Sequence, residues 1–215
     1  MKNIVILISG RGSNMQALLN DQLNCNIKAV ISSRTDAAGL DFAKGKGIPI
    51  AVVANRDHPD REHFDAALLR EIDRFDPDFV ILAGFMRILT EKFVMHYKGR
   101  LINIHPSLLP AYPGIHTHAR ALADGVKIHG CTVHFVTPNL DHGPIIIQSA
   151  VPVLDNDTEQ SLSSRVLHEE HRIYPQAVRW LCSGKVRLGM DGKVISGSSS
   201  NPQGSSLISP SLEVT

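Results

Sequence analysis

Cysteine is scarce in this chain: Cys25, Cys131 and Cys182 are odd in number, widely spaced and without any Cys-x-x-Cys pair. That excludes a disulfide framework and a zinc ribbon, and the expectation is three reduced, partly buried thiols. Net charge is nearly absent, with 22 Lys and Arg against 21 Asp and Glu and a formal balance of +1. No global field exists to attract nucleic acid or anionic lipid, so any anion must be bound locally. Long apolar runs are missing too. Ile4-Val5-Ile6-Leu7-Ile8 is broken at once by Ser9-Gly10-Arg11-Gly12, too short for a secretory core segment or a membrane span. The chain therefore reads as a soluble cytoplasmic protein with no membrane partner. No composition is extreme: 43% apolar and 20% charged residues are ordinary globular usage, which excludes collagen-like, coiled-coil and wholly disordered chains. At 215 residues one large domain is expected.

Histidine is what the sequence does hold: eleven of them beside only three Tyr and one Trp. It is the side chain suited to proton traffic near neutral pH. The first 105 residues alternate β-branched runs with amphipathic stretches at βα spacing. Strands are predicted at Asn3–Ile8, Lys28–Ser32, Pro49–Val53, Phe79–Ala83 and Arg100–Ile104. Helices are predicted near Asn14–Asp21, Ala38–Lys46, Asp60–Phe75 and Thr90–Tyr97. Strands separated by helices need crossovers, and crossovers give parallel strands. From Lys127 the pattern changes: Ile128–Val136 and Pro144–Pro152 are joined by a short connection that suits an antiparallel pair. Thr158–Trp180 reads as one long helix that Gly184 stops. The expected fold is α/β, a doubly wound, mostly parallel Rossmann-like sheet with an antiparallel strand pair added near the C-terminus. Residues 1–190 are expected to form the folded domain. Residues 191–215, rich in Ser, Pro and Gly, are expected to be a disordered or loosely packed tail.

Ligands of such sheets bind beyond the carboxyl ends of the strands. Four places there could carry chemistry. Ser9-Gly10-Arg11-Gly12-Ser13-Asn14 follows the first strand, and its glycines and free helix-start N–H groups suit a single phosphate. Met15 stands where a dinucleotide fingerprint needs a third glycine, although Arg34 after strand two keeps a dinucleotide phosphate site open. A tight turn without a ligand is the plain alternative. Asn103 and His105 share one side of the fifth strand, since Pro106 biases His105 toward extended backbone. An amide donor beside an imidazole can stabilise a developing oxyanion and manage a proton, as acyl transfer requires. A polar strand end with a satisfied histidine would look the same. Asp141, in Leu140-Asp141-His142-Gly143-Pro144, could orient and charge-stabilise the His105 imidazole, or it could be a turn former. Finally, His116-Thr117-His118 and His168-Glu169-Glu170-His171 miss the HExxH spacing, so no metal site is expected and the groups read as helix-surface and pocket-lining.

Six segments in order carry a resemblance: ISGRGSN at 8–14, LAGFMRIL at 82–89, INIHPSLLPAYPGIHTH at 102–118, GCTVHFVT at 130–137, LDHGPIIIQ at 140–148 and EEHRIYP at 169–175. The chain resembles the phosphoribosylglycinamide formyltransferase family of the folate-dependent purine pathway from Ile4 to about Trp180. The resemblance implies the formyltransferase fold, with 10-formyltetrahydrofolate as formyl donor and glycinamide ribonucleotide as acceptor, and Asn103, His105 and Asp141 as the catalytic trio. It implies that Arg11, Gly12, Ser13 and Asn14 cradle the ribose phosphate, with Arg61 a further substrate contact and Glu170 on the glycinamide side. Met86, Arg87, Ile88, Leu89, Val94, Leu101, Val136 and Thr137, with Asn103 and Asp141, would line the folate pocket. Small-molecule substrates, no nucleic acid, no metal and a monomer or weak homodimer complete what it implies. One departure is His142, where the family commonly has a second glycine. Nearby alternatives are another folate-dependent formyltransferase or a formyltetrahydrofolate hydrolase; more distant ones are a nicotinamide-dependent oxidoreductase and a non-catalytic nucleotide-binding module.

Overall fold

The structure is a computed structural model that describes residues 1–196 and 208–209. The elements run β1 (Asn3–Ile8), α1 (Ser13–Asn20), β2 (Asn26–Ser32), α2 (Gly39–Gly45), β3 (Ile50–Val52), α3 (Arg61–Asp73), β4 (Phe79–Leu82), α4 (Glu91–His96) and β5 (Leu101–His105). Then come α5 (Thr117–Ala123), β6 (Ile128–Phe135), β7 (Ile145–Pro152), α6 (Glu159–Ser183), β8 (Val186–Leu188), β9 (Val194–Ser196) and β10 (Ile208–Ser209). Among the described residues one sheet of eight strands has the order β10-β7-β6-β5-β4-β1-β2-β3, and β8 pairs with β9 in a second sheet. The pairs β3 with β2, β2 with β1, β1 with β4 and β4 with β5 are parallel. β6 and β7 are antiparallel, from Ile128 opposite Pro152 to His134 opposite Ile145. The doubly wound sheet with its added antiparallel pair is thus present.

The described residues fall into two compact units, Met1–Asn103 with Val136–Pro138, and Ile104–Phe135 with Asn139–Thr215. In the first unit, Ile4 through Ile8 are all wholly buried, which is why β1 reads as an unbroken apolar run: a central parallel strand is covered on both faces. Its core joins Val5 and Leu7 to Phe64, Leu68, Val80 and Phe93. The strand order reverses between β1 and β4, so the crevice that such sheets offer to ligands opens at their carboxyl ends. Capping starts α3 and α4: the Asp60 carboxylate accepts from the His63 N–H at 2.9 Å, and the Thr90 hydroxyl from the Phe93 N–H at 3.3 Å.

In the second unit α6 packs on β6 and β7 through Leu162, Val166, Ile173, Ala177 and Trp180. A capping box joins Thr158 and Ser161 at its start, and Arg165 grips Asp157 with two bonds of 2.7 and 2.8 Å. Gly184, at φ 76°, ends the helix as its composition foretells.

Some of the structure goes beyond or against what the sequence predicts. Helix α5 forms after Pro113, in a stretch for which no element is predicted, its N-cap His116 held in the left-handed region at φ 57°. A short 3-10 turn occupies Asn55–Asp57. The expected tail does not begin loosely at 191. Residues 191–196 turn and pair as β9 against β8, from Val186 opposite Ser196 to Leu188 opposite Val194. Residues 208–209 add β10 to β7; the remainder of the expected tail, 197–207 and 210–215, lies outside the described residues.

Candidate active site

In the first unit the turn after β1 has the shape that close backbone approach requires. Gly12 adopts φ 67° and ψ 39° at the start of α1, and a Cβ there would meet the Met15 Cε at 2.9 Å. Only glycine fits without strain. The residue that starts α1, Gly12, has no side chain to cap the helix, and helix starts of this kind suit an anion. Arg11 projects exposed beside them. Behind the turn, the Ser9 and Ser33 hydroxyls are 2.7 Å apart, and the Ser9 Oγ accepts the Met86 N–H at 2.9 Å. Those bonds tie the carboxyl ends of β1 and β2 to the segment after β4. Arg61, the first residue of α3, is exposed.

The segment that follows β4 has no regular structure and turns at Gly84, φ 75°. It presents Met86 and Ile88 with 75% and 61% of their surfaces exposed, and Arg87 between them. Leu89 and Val136 pack on the buried Val94 and Leu101, and the Val136 N–H donates to the Leu101 carbonyl at 2.9 Å. Asn103 ends this unit, and alternation along β5 sets it on the same face of that strand as His105.

The second unit holds the charge-bearing pair. His105 and Asp141 expose only 8% and 9% of their side chains, with Nδ1 and Oδ2 3.6 Å apart. The His105 Nε2 lies 2.9 Å from the Tyr112 carbonyl, and a carbonyl can only accept, so Nε2 carries the proton. Nδ1 is the ring atom that faces the carboxylate. At 3.6 Å the pair lies just beyond direct hydrogen-bond distance and within ion-pair reach. The Gly114 N–H donates to the same Asp141 Oδ2 at 2.8 Å, which holds the carboxylate in place.

The supporting geometry is backbone-made. Tyr112 and Asp141 sit at φ 53° and φ 52°, a region sparsely populated by residues other than glycine. The Thr132 hydroxyl donates to the Ser107 carbonyl at 2.7 Å and accepts from the Leu109 N–H at 3.1 Å, pinning the segment after His105 to β6. Gly143 has no room for a Cβ against the Phe135 carbonyl, so the Asp141 loop closes on the end of β6. Beside it His134 donates from Nδ1 to the Phe135 carbonyl at 2.9 Å, and burial lowers its pKa. Burial likewise keeps His118 neutral and lowers His129 to about 4; their rings meet edge to face at 5.3 Å, and Tyr112 meets His129 at 5.8 Å. Glu170 is buried on α6, while the neighbouring Glu169 takes the Ser149 hydroxyl at 2.9 Å and Arg172 at 2.8 Å.

Of the sequence-predicted groups, His105 and Asp141 are brought together, and the glycine turn at 11–14 is formed. The Tyr112 carbonyl and the buried histidines 129 and 134 went unmarked in the sequence. A main-chain acceptor has no side-chain signature, and β6 histidines look like any strand residues. Among the described residues no group of three His, Cys, Asp or Glu is placed to hold a metal ion, and no helix is long and apolar enough to cross a membrane.

The family model for formyl transferases matches residues 2–178, across both units. The chain belongs to the formyl transferase family. It is 46% identical over 206 residues to the phosphoribosylglycinamide formyltransferase of Escherichia coli, covering 94% of this chain and 97% of that one. Similarity at 46% extends to the trifunctional purine biosynthetic protein adenosine-3 of Homo sapiens, over 89% of this chain and 19% of that longer protein. Among solved structures, glycinamide ribonucleotide transformylase 1 from Symbiobacterium toebii superposes with a TM-score of 0.87 at 44% identity, over 91% of this chain and 94% of that one.

Proposed function

We propose that this enzyme transfers the formyl group of 10-formyltetrahydrofolate to the amine of glycinamide ribonucleotide, a step of de novo purine biosynthesis. The observation that carries the reading is the buried His105–Asp141 pair, with Nε2 committed to the Tyr112 carbonyl and Nδ1 turned to the carboxylate. That arrangement makes His105 a proton carrier with a fixed orientation, which formyl transfer between two nitrogens needs and a binding module does not.

The acceptor amine attacks the formyl carbon on N10 of the folate. A new C–N bond forms and the carbonyl electrons move to oxygen, giving a tetrahedral oxyanion. The Asn103 amide and the His105 imidazolium stabilise that charge, and the Asp141 carboxylate balances the imidazolium. A proton leaves the attacking nitrogen and reaches N10 through the pair and a water. The C–N10 bond then breaks, releasing tetrahydrofolate and the formylated amide. No covalent enzyme intermediate and no metal enter the route.

Arg11, Gly12, Ser13 and Asn14 take the ribose phosphate, supported by the uncapped start of α1 and the left-handed Gly12. Arg61 adds a substrate contact, and Glu170 holds the glycinamide side. The folate lies along Met86, Arg87, Ile88 and Leu89, with Val94, Leu101, Asn103, Val136, Thr137 and Asp141; the exposed Met86 and Ile88 support this assignment. Residues 1–190 form the catalytic domain, which acts as a monomer or weak homodimer in the cytoplasm on small molecules alone, without nucleic acid or membrane.

A coupled assay that follows loss of 10-formyltetrahydrofolate tests the reading. Turnover is expected only with glycinamide ribonucleotide present. Equal turnover in its absence would mean that water is the acceptor and would overturn the assignment.

A further inference from the structure

The first unit contains a cavity of about 470 Å³ lined by Ser9, Ser33, Arg34, Thr35, Asp36, Ala54, Asn55, Arg56, Met86 and Arg87. Small-molecule sites occupy about 300–1,000 Å³, so the space suits a ligand of metabolite size. The roles assigned above use only Met86 and Arg87 at its edge. The rest lies past the carboxyl ends of β1, β2 and β3, where doubly wound sheets hold the nucleoside part of a nucleotide.

Its charge is one-sided: three guanidiniums against a single lining carboxylate. Arg34 grips that carboxylate, Asp36, through two bonds of 2.9 and 2.6 Å, and both side chains are more than half exposed. Arg56 reaches the Thr35 hydroxyl at 3.3 Å and stands 3.7 Å from Asp57. Among its lining groups the Ser9 and Ser33 hydroxyls bond each other, and the Ser9 Oγ accepts the Met86 N–H. Planar forks of this kind match phosphate oxygens two at a time. Asn55 and Thr35 offer partners for ribose hydroxyls, and the exposed Met86 offers an apolar face for a base.

We propose that this cavity is a second anion site, distinct from the turn at 11–14, which takes a nucleoside monophosphate with its phosphate on Arg34 and Arg56. A whole dinucleotide is disfavoured, since Met15 fills the place of the third glycine that lets a pyrophosphate approach the helix. The proposal shares Met86 with the folate assignment above, but its phosphate site on Arg34 and Arg56 does not rest on the formyl-transfer reading.

Calorimetry on the full chain tests it with three probes: adenosine 5′-monophosphate, inorganic phosphate and a γ-linked triglutamate. The monophosphate is expected to bind at least tenfold more tightly than inorganic phosphate, and to do so with glycinamide ribonucleotide saturating. The double variant Arg34→Ala/Arg56→Ala should lose that binding by tenfold or more while kcat for formyl transfer stays within twofold. Asp36→Asn, which removes the competing carboxylate, should tighten binding, a gain that a misfolded variant cannot mimic. Binding of triglutamate in place of the monophosphate, equal affinity for inorganic phosphate, or unchanged affinity in the double variant would each overturn the proposal.

Discussion

The two units divide the chemistry by residue type. Met1–Asn103 with Val136–Pro138 holds eight of the thirteen arginines, the left-handed Gly12 turn and the cationic cavity, whereas the second unit holds eight of the eleven histidines. The first unit presents groups whose charge or dipole does not change near neutral pH: guanidiniums and backbone N–H groups. The second holds most of the imidazoles, with His105 facing Asp141 and with burial lowering the pKa of His118, His129 and His134. Anion binding needs constant charge and proton transfer needs variable charge, and this chain separates the two demands along its length.

The sharpest test of that contrast compares two losses of kcat. Asn103→Ala removes one donor to the developing oxyanion, worth about 3–4 kcal/mol, so kcat should fall by about 10²–10³-fold with the shape of the pH–rate profile unchanged. Asp141→Asn removes the carboxylate that faces the His105 ring and should cost about 10²-fold in kcat at neutral pH. A kcat near that of the unaltered enzyme would break the comparison and leave Asp141 a turn residue.

Stability should carry the second unit's signature. Burial lowers the His129 pKa to about 4 from an ordinary 6.5, so between those values the unfolded chain binds a proton that the native protein refuses. Stability is therefore full above pH 6.5 and declines as pH falls toward 4, by about 1–3 kcal/mol from this residue. Urea midpoints at pH 7 and pH 5 measure it, and His129→Phe should flatten the difference.

Smaller still are the effects in the anion-binding turn. Ser13→Ala should raise KM for glycinamide ribonucleotide by about tenfold, about 1.4 kcal/mol, while KM for the folate and the pH profile hold. Equal losses for both substrates would show that the turn does not single out the phosphate. Thr158→Ala, which deletes the cap of α6, should lower stability by about 1 kcal/mol without touching either KM.

Much of the fold is legible in the sequence because its strands are buried on both faces or bounded by strong turn formers. Ile4–Ile8 and Phe79–Leu82 announce themselves as apolar runs, and Asp60, Thr90 and Thr158 announce the helices that they cap. Helix α5 does not, since its seven residues follow a proline- and glycine-rich stretch and are too few for an apolar period to show. β8 and β9, three residues each, fail to register for the same reason. Asn103 and His105 are visible as a pair because they are two apart on one strand. The partnership of His105 with Asp141, 36 positions later, is visible only as a pair of candidate residue types.

By itself the sequence determined the alternation of strand and helix, the glycine that lets the turn after β1 close, and the chemical kinds of group at each strand end. Those depend on side-chain period and backbone freedom, which are local. Only the tertiary structure decided that Nε2 of His105 meets the Tyr112 carbonyl, that Asp141 stands 3.6 Å from Nδ1, and that three arginines from separate loops line one cavity. Each depends on where the strand ends gather, and which ring nitrogen of His105 faces the carboxylate is set by a main-chain oxygen that carries no signature in the residue code.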